Sequence, residues 1–166
     1  MTVVSVYLLD ANVFIEAAHR YYAFDLAPKF WESLVHHATN GRIRSIDRVK
    51  KELERGKDDL SKWVKKHFSH AFATTDETEV IQSYGEIMIW VQAQGQFLDA
   101  AKSDFANGAD GWLVAYARVK GCVVVTHEAP AADARRKVPI PNVCRAFDVH
   151  FIDTFEMLRT LGVRFV

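Results

Sequence analysis

The chain is poor in the residues that staple or interrupt a fold. Its 166 residues include only two cysteines, four prolines and eight glycines. Cys122 and Cys144 are too few for a disulfide framework and lack the C-x-x-C spacing of a zinc or redox pair. Cys122 lies in the apolar run Gly121-Cys-Val-Val-Val125 and reads as a buried thiol, which suits a reducing compartment. Net charge is also absent, with 21 Lys and Arg against 21 Asp and Glu. That balance excludes a protein that coats nucleic acid through bulk positive charge. Binding to RNA or DNA would need a local patch or metal ions. No apolar run is long enough to cross a membrane. Val3 to Leu9 is too short and has neither a basic segment before it nor a cleavage site after it, so a cytoplasmic protein is expected. Neither a Gly-rich phosphate loop nor a G-x-S-x-G elbow occurs. His36-His37 and the pair His67 and His70 lack the spacing of a zinc site.

What remains is the composition of a globular chain, 49% hydrophobic and 25% charged. A chain of this length can bury about 70% of its unfolded surface and needs no structural metal to fold. With no repeat, low-complexity tract or linker, residues 1–166 read as a single domain. Strand-like and helix-like segments alternate. Strands are expected at Val3 to Leu9, Ile43 to Ile46, Val123 to Thr126 and Val149 to Ile152. Helices are expected at Ala11 to Tyr22, Pro28 to Thr39, a segment carrying Val49, Glu52 and Leu53, Asp58 to Phe68, Asp76 to Gln94, Phe97 to Ala106, Asp110 to Lys120 and Thr154 to Leu161. Asp10 or Asn12 is a candidate cap of the first helix, and Ser45 or Asp47 of the third. Gly121 and Gly162 mark helix ends. Short apolar strands separated by helices imply βαβ units and a parallel sheet covered on both faces. Ligands then sit beyond the carboxyl ends of the strands, where the strand order switches.

Acids stand at those ends. Asp10 directly follows Val-Tyr-Leu-Leu, and Glu128 follows Val-Val-Val-Thr-His. Glu52 lies on the helix after the Ile43 strand. Asp110 opens a helix whose next positions Leu113, Val114 and Ala117 are apolar. Each acid has a plainer role: Asp10 and Asp110 as helix caps, Glu52 on a solvated helix face, Glu128 in a loop. Together at one sheet edge, however, four carboxylates would repel one another, and burying them unpaired is costly. A hard divalent cation, Mg²⁺ or Mn²⁺, removes the conflict because it takes carboxylate oxygens and waters. Such a site suits phosphodiester hydrolysis by in-line displacement. Asn12, two residues beyond Asp10, could orient a metal water or a carboxylate, and Thr126 could do similar work.

These residues resemble a known family. Leu8-Leu-Asp-Ala-Asn-Val-Phe-Ile15 resembles the opening motif of PIN-domain ribonucleases. Val49-Lys-Lys-Glu-Leu53, Asp110-Gly-Trp-Leu-Val-Ala-Tyr-Ala117 and Val123-Val-Val-Thr-His-Glu128 resemble their second, third and fourth motifs. The tail, Ile140 to Cys144 through Thr154 to Leu158, resembles a bacterial PIN-like subgroup related to VapC-type toxins. The resemblance implies an α/β fold, a three-layer α/β/α sandwich around a mostly parallel sheet of about four or five strands. It also implies an endoribonuclease dependent on Mg²⁺ (or Mn²⁺), with Asp10, Glu52, Asp110 and Glu128 as metal ligands and Asn12 in support. A toxin role, an RNA substrate, an antitoxin protein as partner and a homodimer belong to the same implication. One departure stands out. The family's fourth acid is usually Asp, whereas this chain has Glu128 preceded by His127. Asp133 is an alternative fourth ligand, and Asp99 and Asp104 stand near the third motif.

Other features bear on an RNA substrate. From Arg42 to His67 ten Lys or Arg face five Asp or Glu, net +5; from Thr74 to Asp110 seven acids face one Lys, net −6. A basic arm beside an acidic pocket suits a phosphate backbone. Arg135-Arg136-Lys137 could flank a bound strand, and His127 could contact phosphate. Trp31, Trp63, Trp90 and Trp112 are candidates either for base stacking or for the core. Two rival functions also fit the sequence. One is a non-catalytic RNA-binding or interaction module. The other is a metal-dependent phosphohydrolase of small esters, which the Asp10-Ala-Asn12 sequence disfavours because a second Asp is missing as general acid.

Overall fold

The computed structural model describes residues 4–165. Val3, the first residue of the expected opening strand, lies outside them. Strand β1 (Tyr7–Leu9) is fully buried and lies at the centre of the sheet. Helix α1 (Ala11–Glu16) follows and widens into a π turn at Ala17–Tyr21. Helix α2 (Pro28–Thr39) and strand β2 (Ile43–Ile46) have the bounds that their periodicity and end signals indicate. Helices α3 (Asp47–Arg55) and α4 (Asp59–Trp63) come next, and α4 also relaxes into a π turn, Val64–Phe68. After strand β3 (Phe72–Ala73) the chain forms helices α5 (Thr78–Ala93), α6 (Asp99–Asn107) and α7 (Asp110–Lys120). Strand β4 (Val123–Val125), helix α8 (Ile140–Ala146), strand β5 (Phe151–Ile152) and helix α9 (Thr154–Thr160) complete the chain.

The five strands are all parallel, in the order β3-β2-β1-β4-β5. The register pairs Tyr7 with both Ile43 and Val123, and Leu9 with Val125. The strand order switches between β1 and β4, and that is where Asp10 and Thr126 leave the sheet. Right-handed crossovers put the helices before β3 on one face of the sheet and α5–α8 on the other, whereas α9, which follows the last strand, lies by the π turn after α1, its Phe155 ring 5.7 Å from that of Tyr21. On the first side α1 packs with α3, and on the second α7 packs with α5, α6 and α8. The expected three-layer α/β/α architecture is therefore observed.

The caps differ from expectation. Ser45 is buried, and its hydroxyl donates to the Leu9 carbonyl at 2.6 Å, tying β2 to β1. Asp47 accepts from the Thr75 amide and hydroxyl at 3.1 and 2.8 Å, which fastens the chain beyond β3. Neither residue caps α3. Two elements were not expected. β3 is only two residues long. In α8, Pro141 sits within the first turn, where its missing N–H is no loss. Gly121 has φ +70° and ends α7 in the left-handed conformation that glycine tolerates best.

The four tryptophans serve the protein itself. Trp31 and Trp63 belong to an aromatic cluster with Phe14, Phe24 and Phe68. Trp90 meets Phe97 and Phe147. Trp112 stacks on Tyr84 at 3.8 Å and carries the Arg48 guanidinium on its ring. Among the described residues no helix is long and apolar enough to cross a membrane.

Candidate functional site

Asp10 is 2% exposed at the carboxyl end of β1. Its amide continues the sheet by donating to the Val125 carbonyl at 3.0 Å, so the side chain leaves the strand beside β4. Its Oδ2 accepts from the Thr126 hydroxyl at 3.1 Å. The Asn12 amide points at the carboxylate and eases its charge without closing a cap hydrogen bond. Burial pushes the Asp10 carboxyl up to about 8, and the Asp110 and Glu128 carboxylates push the same way. Capping therefore does not account for Asp10.

Asp110 occupies the first turn of α7, and its helix has no side-chain cap bond either. Its carboxyl is raised to about 6, by burial first and then by Glu128; Lys137 pulls it down and Glu52 pushes it up. Immediately behind it, Gly111 lets α7 approach closely. A Cβ there would stand 3.0 Å from ring atoms of both Phe105 and Tyr84. The position of Asp110 thus depends on a glycine that its motif contains but whose steric role the linear sequence does not reveal.

Glu52 reaches across from α3. Its Oε1 accepts from the Ala109 amide at 3.1 Å, which pins the start of α7 next to α3. One of its oxygens is thereby committed to backbone. Glu128 is held at both oxygens. Oε2 accepts from the Ile140 amide at 3.0 Å, and Oε1 faces the Lys137 ammonium as an ion pair. Its own amide donates to the Thr126 hydroxyl at 3.2 Å. Thr126 therefore links the first and fourth motifs through a single oxygen. Asn12 and Glu128 line one open groove of about 330 Å³ together with Glu16, Tyr21 and His127. Asp110, Lys137, Arg136 and Asp104 line a second, of about 220 Å³. A cavity of about 480 Å³ between α2 and Trp63 lies away from these acids.

The fold thus brings Asp10, Asp110 and Glu128 into one electrostatic cluster, with Glu52 beside Asp110 and Asn12 at the rim. Asp133 and Asp99 are exposed, and Asp104 is exposed on the wall of the second groove. His127 is not a free loop residue: its Nε2 bonds the Thr154 hydroxyl at 2.9 Å, and its ring meets Tyr21 and Phe155. Among the described residues no group of three or more His, Cys, Asp or Glu side chains is arranged to hold a metal ion.

Replacing Thr126 with valine removes the side-chain hydroxyl that donates to Asp10. The loss should cost about 1–3 kcal/mol at pH 9, where the carboxylate is charged, and less at pH 6. Denaturant titrations at the two pH values measure the difference.

The family model described as a domain of unknown function (DUF4411) matches residues 7–165. The chain belongs to the DUF4411 family. No curated protein sequence matches it. Among the solved structures that resemble this DUF4411 chain are two of similar fold. One is VapBC2 from Rickettsia felis bound to a DNA fragment from their promoter, with TM-score 0.55 and 15% identity over 89% of this chain and 98% of that one. The other is FitAcB from Neisseria gonorrhoeae, with TM-score 0.52 and 17% identity over 89% and 96%. At these identities the likeness is one of fold. The DUF4411 chain has the PIN-like arrangement, with helices on both faces of a five-stranded parallel sheet.

Proposed function

We propose that this DUF4411 protein is a metal-dependent endoribonuclease and the toxin of a toxin–antitoxin pair. The observation that carries the reading is the burial of Asp10 beside Asp110 at the switch in strand order. Two carboxyls pushed to about 8 and about 6 are poorly served by the protein alone. A hard divalent cation fits that donor set, because Mg²⁺ commonly takes one or two carboxylates and keeps several waters. Asp10 and Asp110 would hold it directly. Glu52, whose Oε1 is committed to the Ala109 amide, would ligate the ion or hold a metal water, and Glu128 would complete the site. When bound, the ion would supply Lewis-acid stabilisation of charge developing on the phosphate.

The chain's own residues have distinct tasks. The Thr126 hydroxyl fixes the rotamer of Asp10. Glu52 fixes the start of α7, and with it Asp110. Arg136 and Lys137 on the second groove would meet backbone phosphates, which supplies locally the positive charge that the whole chain lacks. The fold likeness to the VapBC2 structure agrees with the VapC-type resemblance of the motifs. An RNA substrate, an antitoxin protein partner, a homodimer and a cytoplasmic location are parts of the same proposal.

The test is incubation of total cellular RNA with the purified chain in Mg²⁺, Mn²⁺ or chelator, beside Asp10→Asn. Cutting in either metal, absent with chelator and reduced at least a hundredfold in Asp10→Asn, is expected. Equal cutting by Asp10→Asn would remove the site from the proposal. Mn²⁺ binding without cleavage of any RNA would favour the non-catalytic module.

A further inference from the structure

The acidic edge already contains a cation of its own. Glu128 is 13% exposed, and its Oε1 is closed off from solvent against the Lys137 ammonium. The carboxylate is anchored on the other side by the Ile140 amide. Both holds come from one stretch of chain, 137–140, which returns past the site before α8. The ammonium also lies in the fields of Asp110 and Asp10. Its side chain is 58% exposed, so it can leave the pair without unfolding any element. Arg136 beside it lines the same groove as Asp110.

We propose that Lys137 is a tethered counter-ion of the acidic edge, which a divalent cation must displace from Glu128 in order to bind. Two cations cannot share these carboxylates at close range, because their repulsion in a partly dehydrated pocket offsets the attraction of each. The tethered charge holds the cluster together in the resting protein. A free divalent ion carries twice the charge and draws several oxygens at once, which a single ammonium on a flexible stem cannot do. Displaced, Lys137 remains beside Arg136 on the groove wall. This inference rests on the metal in the proposed function, but it concerns a residue that the family motifs do not contain.

The experiment uses the metal-free full chain, with Mn²⁺ as the probe, followed by calorimetry and by the electron paramagnetic resonance of the free ion. Lys137→Met should bind Mn²⁺ about tenfold more tightly than wild type, a change equivalent to ~1.4 kcal/mol. Lys137→Arg, which keeps the charge, should bind like wild type. Equal or weaker binding by folded Lys137→Met overturns the displacement. A thermal-denaturation cycle of Lys137→Met, Glu128→Gln and the double variant, without metal, tests the pair separately. The double variant should lose less melting temperature than the two single losses added; additivity overturns the counter-ion role. Coupling in that cycle with no Mn²⁺ taken up by wild type or Lys137→Met removes the metal from the proposed function and overturns the displacement with it. Equal uptake by both overturns the displacement alone.

Discussion

Asp10→Asn is expected to make the metal-free protein more stable at pH 8, although it removes a ligand of the proposed metal site. The reason is the direction of the shift. The Asp10 carboxyl titrates at about 8 in the folded chain against 3.8 unfolded. Between those values the native state binds more protons than the unfolded state, so stability falls as pH rises through the window. Asp110 adds a smaller fall between 3.8 and about 6. Asparagine keeps the shape and removes the charge. The gain should be on the order of 5 kcal/mol at pH 8 and vanish near pH 4. For a chain of this size that corresponds to roughly 10–20 °C in melting temperature. Thermal scans of wild type and Asp10→Asn from pH 4 to pH 9, in chelator, measure it. A divalent ion narrows the gap. An ion present at a hundred times its Kd stabilises the charged wild type by about 2.7 kcal/mol and leaves Asp10→Asn unmoved. Parallel pH profiles for the two proteins would mean that Asp10 is ordinary, and the site with it.

The second large effect lies in the core that carries the site. Phe14 is fully buried on the inner side of α1, two residues beyond Asn12. Its ring meets Phe68 at 5.5 Å, Phe72 at 6.4 Å and Trp63 at 6.5 Å. Truncation leaves a cavity that these rigid rings cannot fill by a simple rotamer change. Phe14→Ala should therefore cost about 3–5 kcal/mol and lower the melting temperature by roughly 10 °C or more. The exposed Ile89, on α5 and 73% accessible, supplies the control, since Ile89→Ala should stay within about 0.5 kcal/mol of wild type. Similar melting temperatures for the two variants would mean that the aromatic cluster is not the keystone of the first layer.

Much of the fold is legible in the linear chain because its signals are local. Helices α2 and α7 have end markers at both termini, a proline or acid at the start and a glycine or Asn-Gly just after the last turn, and their bounds follow. β1 (Tyr-Leu-Leu) and β4 (Val-Val-Val) are wholly apolar and β2 has isoleucine at both ends, and the helices between them force parallel pairs. β3 escapes notice because two residues carry no period. α8 escapes because Pro139 and Pro141 read as breaks, although the second sits where a helix accepts it. The π turns at 17–21 and 64–68 escape because a wider turn keeps much the same apolar spacing.

By itself, the order of residues determined that acids stand at the carboxyl ends of buried parallel strands. Alternating apolar strands and amphipathic helices admit few other layouts, and the rule for where ligands sit in such sheets does the rest. Only the tertiary structure decided what those acids experience. Thr126 reaches Asp10 across 116 positions of chain, and Glu52 reaches Ala109 across 57. A carboxyl's charge is set by its loss of water and by the groups within a few ångströms of it. Those neighbours arrive from distant parts of the chain. Lys137 is the clearest case: in sequence it ends a short basic run, and in space it neutralises the fourth acid.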